Sequence, residues 1–292
     1  MFRIRNTHGW LVCSLAVAVL AAAQASRAIA QPTDAKPTPK VITLNSLSME
    51  VNALQTMHQL RLDKTQLDRL GKWADESIQK DQQRKPGKAS VEYREKLAAM
   101  RKALQEAKDG DLIAKLGEEI DALHQKEKPT LDDRVEITEA ARKRAAEAYR
   151  LLKPGQIAAY LGQIAESVHD PLDRLLDALE EARSMNEEDW KDQRDEIADD
   201  VSRLAVGLDS ARGKRMSGQI ATLLTGARGM TKAEFSKRLG ELEIAARKNI
   251  GDVGSEVLFR NQVELELAML LSNPRTPNGC RALMKASVES KK

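Results

Sequence analysis

The sequence predicts an all-α protein, an antiparallel helical hairpin or bundle with coiled-coil character. Three observations predict it. Charged residues make up 31% of the 292 residues and aromatics only 3%, a mix that favours long amphipathic helices over a sandwich or a doubly wound sheet. Apolar residues recur at intervals of three and four through most of the chain, the period of one helix face. No proline falls between Pro171 and Pro274, so the strongest helix breaker is missing from a long central stretch.

Residues 1–30 have the form of a signal peptide. Arg3 and Arg5 are followed by an apolar stretch of about 14 residues, Trp10 to Ala23, and then by Ala28-Ile29-Ala30, the small-residue pattern that signal peptidase cuts. Cleavage is expected after Ala30, with a periplasmic or secreted product. The apolar stretch is shorter than the roughly 20 residues of a spanning helix. Bulky Trp10-Leu11-Val12 before Cys13 argues against lipidation. No second stretch approaches membrane length, so the mature chain is expected not to span a membrane.

The signal holds three of the 47 Lys and Arg residues (Arg3, Arg5 and Arg27) and none of the 44 Asp and Glu, which leaves the mature chain formally neutral. Nucleic-acid binding needs a net basic face to displace counterions, so no nucleic-acid partner is expected. Cys280 is the one cysteine beyond the signal. It has no intrachain partner and is read as an unpaired tail thiol or, alternatively, an intermolecular disulfide.

Residues 31–40 have the composition of a flexible tether. From 41 to 169 a helical hairpin domain is expected. Its stripes are Leu47, Val51, Leu54 and Met57; Leu67, Leu70 and Trp73; Tyr93, Leu97, Met100 and Leu104; Ile113, Leu116, Ile120 and Leu123; and Ile137, Ala141, Ala145 and Ala148. Asp170 before Pro171 reads as a cap on a helix that the proline begins. Residues 170–273 form a C-terminal helical bundle segment in this reading, and 274–292 a loosely ordered tail.

One local pattern occurs three times. Leu62-Asp63-Lys64-Thr65-Gln66-Leu67 and Met230-Thr231-Lys232-Ala233-Glu234-Phe235 each place a capping side chain three residues before Gln or Glu, flanked by apolar residues. Leu152-Lys153-Pro154-Gly155-Gln156-Ile157 shares the form except that Lys153 offers no acceptor, while Pro154 presets the first helical residue. The physics is a capping box joined to a hydrophobic staple. A helix-start device accounts for all three locally.

The first two copies resemble the paired L-T-x-x-Q motifs of periplasmic stress proteins, the group of Spy-type and Cpx-accessory chaperones and zinc-resistance-associated proteins. The charged helical hairpin between them, with Lys102-Ala103-Leu104-Gln105-Glu106-Ala107-Lys108-Asp109-Gly110-Asp111, resembles that group as well. Asp63 and Lys153 stand where the motif has Thr, so both copies are degenerate. The similarity spans residues 45 to 168. It implies an all-helical homodimer with a concave surface for unfolded clients or envelope-stress partners.

Metal and enzyme chemistry have little to build on. Asp121 precedes His124 by three residues and Glu166 precedes His169 by three, spacings that put each pair on one helix face. These are weak metal candidates, with Met57 and His58 as further possible ligands; the bland reading is chance on polar faces. No G-x-S-x-G, H-E-x-x-H, P-loop or dinucleotide turn is present. The expectation is a non-enzyme without cofactor whose partner is a protein, either an unfolded client or an envelope component. A structural scaffold of the envelope is the alternative reading, and a metal-responsive periplasmic protein a minor one.

Overall fold

The computed structural model describes residues 42–78, 84–106, 110–164 and 170–289. The segments expected to be a signal and a tether, residues 1–40, with the expected cleavage residues Ala28 and Ala30, lie outside the described residues. Among those described the fold is all-α, with one isolated antiparallel pairing of Lys88 with Thr130.

The first half holds α1 (Leu44–Gln59), α2 (Lys64–Ser77), α3 (Val91–Gln105), α4 (Gly110–Glu127), α5 (Glu139–Leu151) and α6 (Pro154–Ile164). Side-chain caps start most of them: Thr43, Ser90 and Thr138 each accept from an amide three residues on. Thr43 therefore opens a helix at Leu44. α1 is buried on nearly all sides and is the central helix. α3 packs along it and carries α4, so Tyr93, Leu97, Met100 and Leu104 face Leu116 and Leu123 across a helical hairpin. Ala141, Ala145 and Ala148 of α5 are fully buried; their small side chains admit the close approach of α11 (Ser255–Ser272).

α7 (Pro171–Ser184), α8 (Glu187–Val206), α9 (Ser210–Ala227) and α10 (Lys232–Ile250) form a four-helix bundle. Asp170 caps α7 by accepting from Leu172, with Pro171 at the first helical position. The bundle has its own core, in which Leu175, Leu179, Ile220 and Leu224 are fully buried. A buried aliphatic side chain stabilises by about 1.5–3 kcal/mol relative to exposure, and this shared apolar core joins the four helices.

Two features correct the sequence reading. α11 does not belong to the α7–α10 core: Val263, Leu267 and Leu271 pack with Leu60, Leu70, Trp73, Ala148 and Tyr160. The tail expected from residue 274 is instead α12 (Thr276–Glu289), seated on α2 and α1. It is bolted down where it begins. The buried Asn273 amide donates to the Met49 carbonyl at 2.8 Å, and Ser272 Oγ accepts from the Thr138 amide at 3.0 Å. Pro277 sits in the first turn, where no amide hydrogen is needed. Gly71 lets the two helices approach: a Cβ there would stand 3.2 Å from that of Cys280.

Candidate functional site

The site is assembled where the first two motif copies meet. Each follows the same local logic. α1 ends and Asp63 caps α2, accepting from the Gln66 amide at 3.0 Å while Gln66 Oε1 accepts from the Asp63 amide at 2.9 Å. α5 ends and Gln156 Oε1 accepts from the Lys153 amide at 2.8 Å. The second copy thus keeps the returning half of the box and lacks the forward half, because Lys153 has no acceptor oxygen.

The fold then joins the copies across 90 residues. Gln66 Nε2 donates to Gln156 Oε1 at 2.8 Å, and Gln156 Nε2 donates back to Gln66 Oε1 at 3.0 Å. Each amide also takes up the carbonyls at the end of the other copy's preceding helix. Gln66 Nε2 reaches Leu151 O at 2.6 Å, and Gln156 Nε2 reaches Leu60 O at 3.0 Å and Arg61 O at 2.7 Å. Helix C-termini leave carbonyls without intrahelical partners, so each motif glutamine starts its own helix and finishes the other's. The arrangement is reciprocal at the level of the two glutamine side chains.

Charge completes the pair. Lys153 Nζ lies 2.9 Å from Asp63 Oδ2. That bond, together with the amide of Gln66, holds the Asp63 carboxyl below the usual carboxylate range. The sequence carried a signal for this contact: the two cap positions bear opposite charges. The carbonyls of Leu60, Arg61 and Leu151 are participants that sequence reasoning did not find, since any residue supplies a carbonyl. Arg61 adopts φ of +49°, a left-handed conformation, as the chain turns into Asp63. Leu62 and Leu67 pack in one cluster, and Leu152 and Ile157 in another.

The third copy lies apart, at the start of α10. Thr231 accepts from the Glu234 amide, Glu234 reaches back to the Thr231 amide at 2.8 Å, and Met230 packs against the cluster that buries Phe235. These bonds lower the Glu234 carboxyl's pKa. It pairs with neither of the other copies.

The metal candidates are not brought together. His124 Nδ1 lies 3.3 Å from the Tyr93 hydroxyl, while Asp121 is exposed on the same helix. Burial pushes Tyr93 up to about 12. Glu166 and His169 lie outside the described residues. His58 is exposed whereas Met57 points into the core, 3.7 Å from Cys280 Sγ. Among the described residues no three His, Cys, Asp or Glu side chains converge on a point. Cys280 is 1% exposed, and burial raises its thiol to about 12, so in the folded chain it is no exposed tail thiol and is closed to an intermolecular disulfide.

No family model, curated protein or solved structure matches the chain. Among the described residues no helix is long and apolar enough to cross a membrane.

Proposed function

We propose that the chain is an exported, non-enzymatic helical binding protein of the cell envelope, a chaperone-like or stress-adaptor protein whose partner is another protein. The observation that carries this reading is the reciprocal Gln66–Gln156 pair, which gives the two motif copies the same tertiary task and so strengthens the resemblance to the paired-motif stress proteins. Between the copies the chain builds the α3–α4 hairpin, in which α4 rests mainly on α3 and leaves its outer side open. That hairpin is the proposed client-facing element.

The test is suppression of aggregation. Purified protein beginning at Gln31 is mixed with a chemically unfolded client and light scattering is followed. The proposal expects suppression near one-to-one stoichiometry with two unrelated clients. No suppression at several-fold excess contradicts it and favours a dedicated scaffold.

A further inference from the structure

Three sulfur side chains from two helices share one apolar cluster beneath α12. Met57 of α1 and Cys280 of α12 are each 1% exposed, and Cys280 Sγ stands 3.7 Å from Met57 Sδ. Met284 lies one helical turn on from Cys280, on the same face of α12. It packs against the same cluster and is partly exposed. The other members, Ala53, Leu67 and Leu270, offer no polar side-chain atom.

Two glycines leave room for the sulfur contact. A Cβ on Gly279 would stand 2.9 Å from the Met57 methyl, and one on Gly71 3.2 Å from that of Cys280. A thiol beside a thioether is also ordinary core packing. What sets this contact apart is the further sulfur in the cluster and the charge balance of the three together. Thiolate and thioether are soft ligands, which select monovalent copper over hard cations. A metal–thiolate bond is about 2.3 Å, so an ion touching both sulfurs at their present separation would be bent between them, with a place left for the Met284 thioether.

Charge decides the valence. The Cys280 thiol is neutral in the folded chain. An incoming ion displaces its proton to solvent, and the sulfur lone pair passes to the metal. One thiolate and one monovalent cation sum to zero, so the filled site adds no net charge to the apolar cluster. A divalent ion on the same ligands would leave a buried positive charge, which is costly. The charges nearest the thiol, Arg281 and Asp75, face each other at 3.8 Å and offset one another.

We propose that Met57, Cys280 and Met284 form a binding site for one soft monovalent cation, Cu(I), with the partly exposed Met284 as its entrance. The two buried sulfurs hold the ion and the Met284 thioether closes over it. The site ties α12 to α1 and stands apart from the α3–α4 hairpin, so it does not depend on client binding.

Competition for Cu(I) tests it. The chain beginning at Gln31, in which Cys280 is the one thiol, is titrated without oxygen against Cu(I) held by bicinchoninate. The expected result is transfer of one equivalent to the protein and none to Cys280→Ala. Met57→Leu and Met284→Leu, which keep the apolar volume, should each weaken binding by on the order of tenfold or more. X-ray absorption at the copper edge of the loaded wild type should show sulfur neighbours alone, a readout that no variant's folding can disturb. Copper left with the competitor, equal transfer to Cys280→Ala, or nitrogen or oxygen neighbours at the metal each overturn the proposal. Zinc bound as tightly as Cu(I) overturns it too.

Discussion

The α7–α10 bundle and the motif-bearing region around it are held together differently. The bundle coheres through one apolar core, and its polar contacts between helices are exposed, such as Ser217 to Asp199 and Arg228 to Glu187. The motif region relies on polar ties between residues far apart in sequence. Besides Gln66–Gln156, the Asn45 side chain donates to Lys85 O at 2.7 Å and accepts from the Asp132 amide at 3.1 Å, and Asn273 reaches Met49. Apolar packing is tolerant of exchange and non-directional. A partly buried amide with several partners is satisfied in only one register. The motif region is therefore the more tightly specified half, and the bundle the more tolerant one.

Substitutions should separate the two. The largest effect is expected for Leu224→Ala, which opens a cavity in the bundle core and costs about 3 kcal/mol. Chemical denaturation should show the loss, and hydrogen exchange should place it in α7–α10 with α1 and α2 little changed. Asn273→Ala removes a buried tie of the other region and should cost about 2 kcal/mol. It should also free α12, so that Cys280 becomes reactive toward a thiol reagent under conditions where the wild type is inert. Thr231→Ala removes one cap and should cost about 1 kcal/mol, confined to the start of α10.

The smallest effect is expected at Lys153→Ala. Its partner Asp63 is solvent-accessible, so stability should fall by less than about 0.5 kcal/mol near neutral pH. The sign of the pH dependence follows from the lowered Asp63 carboxyl. Its contribution is present above the ordinary Asp value, is lost as pH falls through the folded value, and should shrink in the variant. A urea titration at pH 7 and at pH 3 checks both points.

How far the sequence could carry this structure depended on whether the information was local. The helices α1 to α5 follow from the spacing of their apolar stripes. The boxes at Asp63 and Thr231 and the Asp170-Pro171 start follow from cap chemistry within four residues. The segment expected to be a loose tail is α12, whose first turn tolerates Pro277 because no amide hydrogen is needed there. Glycine at 279 lies against Met57, where an added Cβ would stand 2.9 Å from its methyl. The return of α11 to the first half is a tertiary choice that local spacing does not encode. At the site, the glutamines were legible as helix-start residues. Their mutual pairing was not, since nothing within either copy specifies a partner 90 residues away.

The central claim is that the two motif copies act as one reciprocal lock, and a double-mutant cycle tests it most directly. Gln66→Ala, Gln156→Ala and the double variant are unfolded in urea as full-length proteins. A coupling of about 1–2 kcal/mol, with the double variant less destabilised than the sum of the singles, is the predicted result. Additive losses, with no coupling beyond about 0.3 kcal/mol, would mean that each glutamine serves only its own helix and would contradict the account.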